Sequence, residues 1–134
     1  PYVQYAVVRA RNIFRKLQAQ EPGYPLAALA DQVSASQAER WLAASEGDEF
    51  WELALEAAEL PVLARAAVEQ QEPALVAKKV FQVAQRFNLF YHKHHILSET
   101  NPERRAFLLL LTDFVQHQLT RGLVLLGIDV PERM

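Results

Sequence analysis

Apolar residues recur three and four positions apart over long stretches of this chain and almost nowhere alternate as a strand requires. Over residues 2–18, with side chains 100° apart, Val3, Ala6, Val7, Ala10, Phe14 and Leu17 share one stripe, the expected core face. Tyr2, Tyr5, Arg9, Asn12 and Lys16 share a second stripe, while Arg11 and Arg15 lie on the polar remainder. The run Glu21-Pro22-Gly23-Tyr24-Pro25 ends this helix, since two prolines and a glycine cannot continue it.

Residues 26–46 carry the weakest pattern, rich in Ala and Ser. One short helix is expected around Ser36–Ala44, with Ser34 or Ser36 as its cap. Gly47-Asp48 opens the next helix, with Asp48 as cap, Glu49 and Glu52 favouring its positive end, and an expected stop near Glu59. Pro61 predicts a restart that runs to about Gln71. Residues 74–96 read as one long helix with an apolar seam of Val76, Val80, Val83, Phe87 and Phe90. Asn101 caps a last helix over 102–126, with Pro102 in its first turn, Gly127 as C-cap and Pro131 as a stop. Its stripe of Leu108, Leu111, Val115, Leu119, Gly122 and Leu126 is joined by Phe107, Leu110 and Phe114, so much of its circumference is apolar. No internal repeat is visible, and the pattern predicts an all-α bundle of about five helices.

A length of 134 residues suits one domain over 1–134 with a single core. The absence of Cys removes disulfides, thiolate zinc sites and cysteine nucleophiles, and fits a reducing, cytoplasmic setting. No apolar run approaches a membrane span, so no membrane partner is expected. The formal net charge of −2 argues against a nucleic-acid partner until it is resolved along the chain. Residues 1–19 carry +4, residues 20–72 carry −9 and residues 73–134 carry +3. Basic ends attract phosphate whatever the sum, although acidic and basic helices pairing within the bundle would produce the same pattern.

Enzymatic chemistry has little support. Four scattered glycines build no phosphate loop, and no serine has the context of a nucleophile. The carboxylates Asp48, Glu49, Glu52, Glu56 and Glu59 read as a solvated face. His92 and His95 are spaced for a metal pair on a helix, but no acid or Cys lies near in sequence, so no metal is expected and a structural or phosphate-facing role is preferred. What remains is Tyr2, Tyr5 and Arg9 on one helix with Phe87, Asn88 and Tyr91 on another. Aromatic planes, a planar cation and an amide are the groups that stack and hydrogen-bond unpaired RNA bases, although its seam position also suits Phe87 to the core.

Tyr2-Val3-Gln4-Tyr5-Ala6 with Arg9, then Phe87-Asn88-x-Phe90-Tyr91, then Gly122-Leu123-x-Leu125-Leu126-Gly127-Ile128 closing on Pro131-Glu132-Arg133-Met134, resemble the C-terminal DALR-type anticodon-binding domain of arginyl-tRNA synthetases. The resemblance spans essentially the whole chain in family order. It implies a helical bundle that docks the anticodon loop of the arginine tRNA and holds its bases splayed. It implies stacking for Tyr5 and Tyr91, phosphate or base-edge contact for Arg9 and Arg15, and an apolar wall from Met134, with Tyr2 close by. Where the family usually continues with His-Ala-Arg, this chain has Val7-Val8-Arg9, and Arg121 stands where the family usually has Asn.

The resemblance also implies a separate catalytic domain as partner, with ATP used there and no cofactor in this domain. Pro1, standing before a helix already under way, leads to the expectation of a domain excised from a larger synthetase. The competing expectation is a helical protein-interaction or assembly module, motivated by the apolar excess of the last helix.

Overall fold

The computed structural model describes all 134 residues and contains five α-helices and two short 3₁₀ segments, with no strand. The helices are α1 (Tyr2–Gln20), α2 (Ala35–Leu42), α3 (Gly47–Glu69), α4 (Ala74–Lys93) and α5 (Pro102–Leu125); the 3₁₀ segments are Leu26–Gln32 and Ile96–Ser98. The all-α bundle read from the apolar period is the fold of the chain.

Helix α5 is the hub. It packs against α1, α2, α3, α4 and both 3₁₀ segments, which is why it is apolar on so many sides. Phe107, Leu108, Leu109, Leu111, Val115, Leu119 and Leu123 are all buried, and each such leucine contributes about 1.5–3 kcal/mol through the apolar area it removes from water. Asn101 caps the helix by accepting from the backbone N–H groups of Glu103 and Arg104, and Pro102 opens it. At the far end Gly127 turns with φ of +72°, a left-handed conformation that favours glycine, and the chain folds back.

Four of the six residues on the predicted core stripe of α1 are buried, with Ile13 added; Val3 and Phe14 are half-buried against the core. Val8 lies off that stripe and is nevertheless buried. On its side of α1, Gln4 Nε2 donates to the carbonyl of Asp129 at 2.6 Å and Arg15 Nη2 to that of Glu132 at 3.2 Å. The C-terminal tail thus runs along this side of the helix.

Four features differ from the sequence reading. Residues 26–32, where no element was expected, form a 3₁₀ segment whose Leu29 is buried against the core and which packs on α5. Pro61 does not divide α3. Phe50, Leu53, Ala57, Leu60 and Ala67 form one buried face across it, so packing outweighs the roughly 3 kcal/mol that an interior proline costs. Asp48 is not the cap: it sits in the first turn of α3, beyond Glu46, the residue at the cap position. Finally, α4 ends at Lys93 rather than 96, because His94 adopts an extended conformation (φ −112°, ψ 114°). Elsewhere the local rules hold. Ser34 forms a reciprocal capping box with Gln37, and all five apolar residues of the α4 seam are buried.

Candidate nucleic-acid interface

The second stripe of α1 faces the outer side of α4, and the groove between them gathers most of the residues singled out by type. The Arg9 guanidinium carbon lies 4.4 Å from the centre of the Tyr5 ring and 5.0 Å from that of Tyr91, both cation–π distances. Its Nη1 donates to Asn88 Oδ1 at 3.1 Å and is 3.2 Å from His92 Nε2. A guanidinium can only donate, so His92 Nε2 is the acceptor in this contact. Asn88 is only 8% exposed, which fixes its amide and, through it, the arginine. Tyr5 is 40% exposed and Tyr2 42%, leaving ring faces open to solvent.

Arg9 stands between two clefts. One, about 820 Å³, is lined by Tyr2, Tyr5, Gln82, Gln85, Asn88 and Leu89 among others. The other, about 400 Å³, is lined by Asn12, Lys16, Tyr91, His92, His95 and Ser98 among others. Arg9 and His92 line both clefts and form the partition. Such a surface offers flat π faces, a planar cation and amide groups, with side chains already held in place.

Five of the seven sequence-derived site residues, Tyr2, Tyr5, Arg9, Asn88 and Tyr91, are thus brought together. Arg15 lies apart from them, its Nη1 donating to Asn12 Oδ1 at 2.7 Å and its Nη2 to the tail. Met134 is 58% exposed at the end of that tail and lines neither cleft. Phe87 is fully buried, as its seam position indicated. Sequence reasoning missed Phe81, whose ring lies 5.1 Å from that of Tyr2, as well as Gln85, Leu89 and the role of His92. The signal was present. Phe81, Gln85, Leu89 and His92 recur at helical spacing on α4 and form the face opposite the α1 stripe.

The histidines at 92, 94 and 95 have separate environments. His94 is buried between the rings of Phe50 and Phe90, at 5.0 and 5.2 Å, and its Nε2 has no hydrogen-bond partner. Burial holds its pKa below the usual imidazole range, against the opposing pull of Glu46. Because α4 has ended by His94, His92 and His95 do not share a helical turn, so the spacing argument for a metal pair lapses.

Ion pairing sharpens the charge picture. Acidic α3 neutralises α4, as Glu59 meets Lys79, Glu52 and Glu56 both meet Arg86, and Glu49 meets Lys93. Arg104 meets Glu46 and Glu99, and Arg105 meets Glu21. The hydrogen bond from Lys93 holds the Glu49 carboxyl below its usual range, and that from Arg105 does the same for Glu21. Arg9, Arg11, Arg15 and Lys16 have no carboxylate partner, and whereas the other unpaired cations, Arg65, Lys78, Arg121 and Arg133, are scattered, these four lie together on α1. Pairing within the bundle therefore accounts for the basic third segment in large part, and not for the first.

Residues 3–134 match the DALR anticodon binding domain family. The whole chain is 34% identical to part of the arginine–tRNA ligase of Ignicoccus hospitalis, 35% to that of Parabacteroides distasonis and 37% to that of Hyphomonas neptunium. It covers 19–20% of each of those proteins, about a fifth of their length.

Proposed function

Because this chain belongs to the DALR anticodon-binding domain family, we propose that it recognises the anticodon loop of an arginine tRNA as the C-terminal module of an arginine–tRNA ligase. The observation that carries this reading is the clamped Arg9, held between the rings of Tyr5 and Tyr91 and anchored by buried Asn88. Unstacked bases of the loop lie on the two tyrosine rings, each stacked base contributing about 1–3 kcal/mol. Arg9 supplies a cation to a base edge or phosphate without first having to be ordered, which lowers the entropic cost of binding. Tyr2 extends the aromatic surface, and Lys16 draws the backbone toward the second cleft.

In this reading the chain performs no chemistry. Arginine activation with ATP, and transfer to the tRNA, belong to a separate catalytic domain, and the complete protein works in the cytoplasm. The alternative of a protein-assembly module loses its motivation, since the apolar surplus of α5 is consumed by the six elements packed around it.

The test is a titration with the arginine-tRNA anticodon stem-loop at a stated salt concentration, beside the same hairpin with its middle anticodon base exchanged. Tighter binding of the unaltered loop supports the proposal. Equal affinity for both reduces it to non-specific phosphate attraction.

A further inference from the structure

Of the side chains that hold Arg9 in place, one can change its charge near neutral pH. We propose that His92 is a positioning residue for Arg9, and that it keeps the guanidinium in its clamp only while the imidazole is neutral. The inference deepens the anticodon-loop reading and rests on it for the part that concerns RNA.

Three observations support this role. Arg9 Nη1 is shared between two acceptors one turn apart on α4, Asn88 Oδ1 at 3.1 Å and His92 Nε2 at 3.2 Å. An amide oxygen accepts at any pH, whereas an imidazole nitrogen accepts only without its proton. Protonating Nε2 sets two N–H donors against each other, so the contact opens. The second observation is that the chain offers a protonated His92 no compensation. His94 stands 3.9 Å from Glu46 and from Glu49, and His117 stands 3.3 Å from Asp113, whereas Arg9 is the only side chain hydrogen-bonded to the His92 ring. Arg9 and Lys16 from α1, Arg86 from α4, and the His94 and His95 rings face the clefts around it. Lys93, next in sequence, is engaged by Glu49. The one carboxylate lining these clefts, Glu56 from α3, is already held by Arg86 at 2.7 Å. The third observation is that His92 meets Tyr91 edge-on at 5.7 Å, and Tyr91 is one of the two rings against which Arg9 lies. Displacing His92 therefore disturbs two of the contacts that orient the guanidinium, and leaves Tyr5 and Asn88.

Acidification also adds positive charge, which attracts any RNA. The informative quantity is therefore the ratio of affinities for the arginine anticodon stem-loop and for the same hairpin with its middle anticodon base exchanged. His92 is exposed, so its replacement leaves the core intact. Glutamine offers an acceptor oxygen and does not titrate, while leucine offers no acceptor. The unaltered chain, His92→Gln and His92→Leu are titrated with both hairpins at one salt concentration, from about pH 7.5 down to about 5.5, where imidazoles take up a proton. At the upper end His92→Gln should keep the ratio of the unaltered chain within about twofold, and His92→Leu should lower it about fivefold, the scale of one partly exposed hydrogen bond. On acidification the ratio should fall in the unaltered chain and hold in His92→Gln, which retains His94 and His95 and so reports any effect of theirs. An undiminished ratio in His92→Leu, or an equal fall with pH in His92→Gln, overturns the role. Without RNA, the guanidinium resonances of Arg9 should shift on acidification in the unaltered chain and stay still in His92→Gln; resonances that stay still in both overturn it as well. If the unaltered chain shows no preference between the hairpins at any pH, the anticodon reading falls, and the guanidinium resonances alone decide whether His92 holds Arg9.

Discussion

Replacing Tyr91 separates a ring that packs from a ring that stacks. Tyr91 is half-buried, leans on Phe87 at 6.4 Å and faces the Arg9 guanidinium at 5.0 Å. Truncation to alanine removes three things. About half of a buried aromatic is lost from the packing, worth roughly 2 kcal/mol of stability when scaled from fully buried sites. The cation–π contact with Arg9 is lost as well, about 0.5–1 kcal/mol at a partly exposed position. In the complex, the plane on which a base rests is lost, about 1–3 kcal/mol, or roughly five- to 150-fold in affinity. Stability is read from urea unfolding and affinity from titration with the anticodon stem-loop, well below the melting temperature so that every variant is folded. Tyr91→Phe keeps the ring and should bind within about twofold of the unaltered chain, because stacking needs the plane rather than the hydroxyl. Tyr91→Leu keeps most of the packing and should lose nearly as much affinity as Tyr91→Ala. Undiminished affinity in Tyr91→Ala removes Tyr91 from the interface. An equal loss in Tyr91→Phe and Tyr91→Ala refutes stacking and assigns the effect to the hydroxyl.

The remaining predictions concern the scaffold. Gly47→Ala normally favours a helix by about 1 kcal/mol, but here the new Cβ would stand 1.7 Å from the Leu42 carbonyl oxygen, so the urea midpoint should fall; a rise contradicts the close approach. Pro61→Ala should raise the unfolding free energy by about 1 kcal/mol or more, and the midpoint with it, because it restores an N–H donor in mid-helix at an exposed position; a fall would mean that α3 depends on its proline. His94 is held neutral by burial, so the unfolded chain takes up a proton before the folded one does. Stability should therefore decline as the pH drops below about 6.5, and His94→Leu should flatten that decline in unfolding curves. The carboxyls held low, Glu21, Glu49 and Glu99, act in a lower window: their contribution is present above the usual carboxylate range and is lost as the pH falls through it.

Sequence periodicity was most informative where a helix follows a simple apolar seam. All five apolar residues of the α4 seam are buried, with α1, α3 and α5 as the helix's neighbours, and the Asn101-Pro102 start follows local rules that tertiary contacts do not alter. It was least informative where packing overrules local preference. Pro61 signals a boundary by its chemistry, yet the buried residues on either side of it keep α3 continuous. The segment 26–32 is too short, and its Leu and Ala residues too closely spaced, to show a period, and it packs on α5. In the candidate interface, residue type identified Tyr5, Arg9 and Tyr91 without revealing that Arg9 is clamped between them. Charge counting treated both ends of the chain as equally basic. It could not distinguish the cations of α4 that acidic α3 neutralises from those of α1, because ion pairing depends on which helices are neighbours.

The most direct test of the Tyr5–Arg9–Tyr91 groove is the nuclear magnetic resonance response of the chain to the arginine anticodon stem-loop. Ring resonances of Tyr5 and Tyr91 and the guanidinium signals of Arg9 should shift together and saturate at one equivalent, while Trp51 on the outer side of α3 stays still. Shifts spread over Arg65 and Lys78, with the two tyrosines unmoved, would contradict the account.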